Sequence, residues 1–336
     1  ALSPTLTLYN IFWAEVVSAS CALIFAFPVV RQFKAEGKLH EADRVETALG
    51  WRTIVRYGIF SYLTICMYQV YGSDTLKLVV SRLLGAIETA SYGMAATVAE
   101  TIRKYLPLFL FHGVIRPSLV ARYTENRSYK QQNHLCNLVF KLNLLILAPI
   151  VAFMAVSGDT FGAWISAGKY PSAGILLTIM TALIATQSQR LVYAMLASVY
   201  TFPAASLWAT VTSMVALPLS LVLGEKYGAV GVLGGMLVGD LIWIAVVAIR
   251  LHRAGRSYVP DKKGISKLIA AAVAGGGFAI ILTPYCGNLL GVLLSAAVIT
   301  AGYIAAVLLL KPFSHDDRLV LAKLIPESLR FRLGGK

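Results

Sequence analysis

The stretch from Gly85 to Val120, GAIETASYGMAATVAETIRKYLPLFLFHGVIRPSLV, is long enough to cross a bilayer and sets Glu100, Arg103 and Lys104 near its centre. An ionisable group in hydrocarbon costs at least about 2.5 kcal/mol, so such a side chain turns toward a protein interior or a watery cavity. Glu100 and Lys104 stand four residues apart with Glu first, an order that lets them pair on one helix face. Arg103 lies beside them, so two cations share one carboxylate and one positive charge is left over. Either the three line a cavity, or they form a self-neutralising cluster that packs this helix against its neighbours.

The rest of the chain fits that setting. Of its 336 residues 57% are hydrophobic and 14% charged, and its mean hydropathy of +0.71 lies far above that of a soluble domain. These values describe an all-α, polytopic integral membrane protein. Apolar runs of about 20 residues bounded by charges or turns predict nine spans. They are 6–30, 53–73, 87–117, 135–156, 173–199, 203–223, 229–249, 266–284 and 289–310. The net charge of +14 is distributed unevenly. Four stretches, 31–56, 116–141, 250–267 and 311–336, hold 23 of the 30 Lys and Arg, whereas the opposite loops hold four. By the positive-inside rule the first residue is outside and the C-terminus cytoplasmic. The basic clusters are short and juxtamembrane, which suits anionic lipid headgroups and argues against nucleic acid.

Cys21, Cys66, Cys136 and Cys286 show no paired spacing, so neither a disulfide nor a metal site is implied, and no pattern asks for a cofactor. The first span lacks a basic leader and a cleavage site, and with no starting Met the chain reads as the interior of a longer product or the start of a trimmed one. Further charges sit within spans. Glu15, in the outer half of 6–30, reads as a buried helix partner or a cation-coupling carboxylate. Arg190 shares a face with Thr186, Gln187 and Tyr193 and is expected either to line the cavity or to reach inner headgroups. Asp240 is a candidate for binding a proton or Na⁺, or for accepting a hydrogen bond from another helix. Beside it, Gly231, Gly235 and Gly239 repeat every fourth residue and predict close helix packing. Lys141 is expected to snorkel, and Tyr68 and Tyr71 to join an interfacial aromatic belt. Residues 251–265 form a basic loop, 266–310 hold a charge-free pair of spans, and 311–336 form a tail in which Ser314 and Asp317 fit a capping box opening an interfacial helix.

The segments DTLKLVVSRLLGAIETASYGMAATVAE, IRPSLVARYTENR, GKYPSAGILLTIM, GEKYGAVGVLGGMLVGDL and PFSHDDRLVLAKLIPESLRFRL, in that order, resemble the polysaccharide transporters and O-antigen (Wzx-type) flippases of the MOP (MATE-like) superfamily. The resemblance implies two six-helix bundles around a central cavity and two extra C-terminal helices. It implies flipping of an undecaprenyl-diphosphate-linked oligosaccharide across a bacterial inner membrane. On that alignment residues 1–30 are the last helix of a first bundle whose other five helices are absent, 31–52 the inter-bundle linker and 53–250 the second bundle. The partners implied are the lipid-linked oligosaccharide, membrane lipids, the missing first bundle and the polysaccharide polymerase machinery. An anionic diphosphate crossing a low-dielectric region would be met by fixed cations, here Arg103, Lys104 and Arg190.

Two other functions compete. A drug or cation antiporter of the same superfamily would favour a carboxylate-rich cavity, and this chain carries more cations than acids at depth. A membrane enzyme acting on lipid-linked sugar, a polymerase or ligase, would call for a sizeable outer loop with catalytic groups, and no such loop or constellation is legible.

Overall fold

The computed structural model describes residues 51–116, 119, 128–170, 173–199, 203–280 and 289–324, together with Val17, Ser20 and Cys21. The chain divides into two units, residues 1–54 and 55–336. Glu15, most of the 31–52 linker, Cys286 and the 325–336 end of the tail lie outside the described residues. The described residues form ten helices and no strand: α1 (Trp51–Tyr71), α2 (Ser73–Tyr105), α3 (Pro107–Leu110), α4 (Tyr129–Ile165), α5 (Gly174–Val199), α6 (Pro203–Ser213), α7 (Ala216–Arg253), α8 (Lys262–Ile280), α9 (Leu289–Leu310) and α10 (His315–Leu324).

Five runs among them are long and apolar enough to cross a membrane: Tyr129–Ile165, Gly174–Val199, Ala204–Arg253, Lys262–Ile280 and Leu290–Leu310. The protein is therefore helical and membrane-embedded. Five such runs stand where nine spans are expected, partly because Ala204–Arg253 contains two of them. Pro218 withholds an N–H near the junction of α6 and α7, and helix resumes at Ala216. At Gly228 the backbone turns to φ 61°, outside the helical region, and the chain folds back. The two arms then lie side by side. Ser220 Oγ donates to the Val232 carbonyl at 3.1 Å, and Trp243 Nε1 donates to Thr210 Oγ1 at 3.1 Å. The stripe Gly231, Gly235, Gly239 is what lets them approach: a Cβ on Gly231 would collide with the Leu223 backbone, and one on Gly235 with Ser220. The small-residue stripe is thus a packing seam, as its spacing predicts.

Helix boundaries differ from the expected spans at several points, three of which bear on the packing around the central helix. Residues 74–84, between the expected spans 53–73 and 87–117, are helical, and the break comes at Gly85 with φ 80°. The connection expected over 157–172 is shorter, because α4 runs on through 157–162 to Ile165. The expected central span 87–117 is not one helix. Proline disfavours the helical conformation in the residue before it and has no N–H to donate, so Leu106, ahead of Pro107, is extended (φ −73°, ψ 138°) and α2 stops at Tyr105.

Core packing is carried by α2, α4, α5 and α7 through Leu76, Tyr92, Leu144, Leu177, Ile184, Leu196 and Leu233. Asn143, fully buried, repairs the break after α2. Its Oδ1 accepts the Leu108 N–H at 3.2 Å, one of the donors left over at the start of α3, and its Nδ2 donates to Ser188 Oγ on α5 at 2.8 Å. The pair α8 and α9 packs on α4, with Ser157 and Ser295 hydroxyls 2.8 Å apart between α4 and α9.

Candidate functional site

Because α2 ends at Tyr105, Arg103 and Lys104 occupy its last turn rather than mid-helix, where the helix dipole favours cations. Arg103 Nη1 donates to Gln187 Oε1 on α5 at 3.3 Å, Nη2 lies 3.8 Å from Glu100 Oε1, and the guanidinium sits 5.8 Å from the Phe109 ring centre. Arg103 is about a third exposed and Glu100 40%, and they face an open cleft lined also by Tyr68, Tyr92, Gln187 and Met236. The expected Glu100–Lys104 pairing does not form. Glu100 pairs at i+3 with Arg103, whose guanidinium Gln187 holds in place, and Lys104 points outward, exposed, with no ion pair among the described residues.

Arg190 is not among the residues that line this cleft. It donates from Nη1 to Asp240 Oδ1 at 2.6 Å and from Nη2 to Tyr71 Oη at 2.9 Å. Its guanidinium carbon lies 4.5 Å from the Tyr68 ring centre and 4.8 Å from that of Trp243. Asp240 therefore accepts from a neighbouring helix, the second of its two expected roles, while its Oδ2 is buried with no hydrogen-bond partner among the described residues. Tyr71 departs from the expected aromatic belt: it is buried, and Ser213 Oγ sits 2.8 Å from the same hydroxyl that receives Arg190. Tyr68 is common to both arrangements, lining the cleft and stacking on Arg190.

Lys141 departs from snorkelling as well. Only 2% of its side chain is exposed, and its ammonium bonds Asp261 Oδ2 at 2.8 Å and Asp317 Oδ2, with the Phe313 ring centre at 5.7 Å. Asp317 is buried too, and the capping box forms: the Ser314 N–H donates to Asp317 Oδ2 at 2.9 Å and the Asp317 N–H to Ser314 Oγ at 3.2 Å. Burial opposes ionisation of Asp261. The Lys141 ammonium and the Gly264 N–H, which its Oδ1 accepts at 3.0 Å, outweigh that and hold its carboxyl below the usual carboxylate range. Glu100 takes a neighbour three residues away, but the partners that Arg103 finds on α5 and that Arg190 and Lys141 find lie 50 or more residues away along the chain, beyond any local spacing rule.

Among the described residues no cluster of three His, Cys, Asp or Glu side chains is placed to hold a metal ion. No family model, curated protein or solved structure matches the chain. The arrangement itself offers a guanidinium about a third exposed at the wall of a cleft in an apolar bundle, with a carboxylate and an amide to orient it. That is the chemistry of holding an anion or a polar headgroup by charge-assisted hydrogen bonds.

Proposed function

We propose that this chain is the cavity-lining second bundle and C-terminal helix pair of a flippase for an undecaprenyl-diphosphate-linked oligosaccharide, working in a bacterial inner membrane with a first bundle as partner. The observation that carries the reading is Arg103, a cation kept partly open to a cleft by Gln187 rather than consumed by Glu100, whose 3.8 Å approach is looser than a hydrogen bond. Lys104, exposed at the same helix end, adds positive potential, and Arg190, neutralised by Asp240, braces the wall that Tyr68 completes. The cation antiporter is less well supported, because Asp240 is neutralised by Arg190 and Glu100, the one carboxylate among the described lining residues of this cleft, shares it with Arg103. The test uses the full-length protein in a flippase-deficient strain. Arg103→Ala is expected to lower surface polysaccharide at least about tenfold, the worth of one charge-assisted hydrogen bond, at unchanged membrane abundance, with partial recovery in Arg103→Lys. Normal export by Arg103→Ala would overturn the role.

A further inference from the structure

The charges around Lys141 do not balance. One ammonium meets two carboxylates, Asp261 and Asp317, so the cluster that pins α10 and the start of α8 onto α4 carries one negative charge in excess. Asp261 has help of its own: it is a third exposed, its Oδ1 accepts the Gly264 N–H at 3.0 Å, and Lys267 on α8 adds a further positive charge nearby. Asp317 is buried, and both of its bonds fall on one oxygen. Oδ2 accepts from the Lys141 ammonium and from the Ser314 N–H at 2.9 Å, while Oδ1 faces Nε2 of His134 on α4 at 3.7 Å. That nitrogen is buried and has no hydrogen-bond partner among the described residues. Buried polar atoms are nearly always bonded, so the exception calls for a reason.

An imidazole is the side chain whose charge changes between about pH 5 and 8. A neutral ring with its lone pair on Nε2 would set an acceptor against a carboxylate; a protonated ring aims an N–H at it and cancels the excess charge. The ring is a third exposed, so protons reach it. It also lies near the start of α4, whose 37 residues exceed the ~20 that cross a bilayer core, so this end can stand outside the hydrocarbon. The other titratable or charged groups close by in the chain are exposed, namely Lys130 one turn earlier on α4 and His315, Asp316 and Arg318 on α10, and solvent screens them. With ten residues, α10 is too short to stay helical in water unaided, so its order depends on this docking. We infer that His134 and the Lys141–Asp261–Asp317 cluster form a pH-sensitive latch on the C-terminal helix, which grips α10 when the imidazole is protonated and loosens as pH rises through the histidine range. The latch does not rest on the transport reading, because none of its residues lines the Arg103 cleft.

The test measures deuterium uptake by the α10 amides of the full-length protein in detergent, at about pH 5.5 and about pH 8, each divided by the intrinsic exchange rate at that pH. Protection of α10 is expected to be about tenfold greater at the acid pH, as one charge-assisted hydrogen bond would give. His134→Gln should show the weaker protection at both pH values, and His134→Lys, which keeps a positive charge, the stronger protection at both. His315→Gln, on the exposed face of α10, should leave the pH dependence as it is. Equal protection at the two pH values in the parent, a pH dependence that survives His134→Gln, or one that vanishes in His315→Gln would overturn the inference. Should His134→Gln fail to fold, His134→Lys decides: constant strong protection upholds the latch, and weak or still pH-dependent protection refutes it.

Discussion

Arg190 keeps its charge at a position only 14% exposed because Tyr68 and Tyr71 from α1 and Asp240 and Trp243 from α7 converge on it. Each partner replaces part of the hydration that the guanidinium gives up, and removing one leaves a buried charge uncompensated. Asp240→Asn is therefore expected to destabilise the protein by roughly 3–5 kcal/mol, whereas Arg190→Met with Asp240→Leu, which removes both charges at similar volume, should cost less than either single change. Unfolding of the purified full-length protein in detergent measures the cycle; an Asp240→Asn variant as stable as the parent would mean that the pair does not hold these helices. Arg103 differs in kind. It is more open and more loosely paired, so its loss should act on the substrate side more than on stability.

Among the elements, the α6–α7 hairpin depends on absent side chains. Gly231→Val would drive two methyl groups into the Leu223 backbone, while a Cβ on Gly234, on a neighbouring face, would meet only the Leu223 Cδ1 at 3.7 Å. Overpacking of that sort costs about 1–3 kcal/mol, and backbone cannot move aside as a side chain can. Gly231→Val should lower the melting temperature of the detergent-solubilised protein well below that of Gly234→Val. Equal effects would remove the seam from the account. The break at Pro107 works at the same scale. It ends α2 two residues after Arg103, and Asn143 then satisfies the freed Leu108 N–H, so the two features together hold Arg103 at a helix end beside α5.

Across the molecule, α4 ties the last helices to the rest. Asn133, Asn137 and Lys141 recur every fourth residue on one face and receive the 258–261 segment in turn. Asn133 Oδ1 accepts the Val259 N–H at 3.0 Å, Asn137 Oδ1 accepts the Tyr258 hydroxyl at 2.9 Å, and Lys141 binds Asp261 and Asp317. The low pKa of Asp261 fixes the sign of the pH effect. A carboxyl depressed in the folded state contributes stability above its unfolded value near 3.9, and the contribution is lost as pH falls through the folded value. The melting-temperature gap between the parent and Asp261→Asn should be full at pH 7 and close below about pH 4. A gap that widens in acid would refute the assignment. Orientation is tested separately: in a background without Cys21, Cys66, Cys136 and Cys286, Lys169→Cys should react with an impermeant thiol reagent from outside and Lys263→Cys should not. The reverse pattern would invert the topology.

Hydropathy and local spacing alone were enough for the helical membrane class, the small-residue seam at Gly231, Gly235 and Gly239, the Ser314–Asp317 capping box and the partnership of Glu100 with a nearby cation. Each is a property of residues close in the chain, or of an apolar stretch that has nowhere to go but lipid. Which cation Glu100 takes was decided by the fold, because Gln187, 84 residues from Arg103, holds the arginine in place. Arg190 met Asp240 across 50 residues, and Lys141 met Asp317 across 176. No periodicity reaches that far: a buried charge selects its partner by the geometry of packed helices, and only their assembly determines which carboxylate is close enough to replace water.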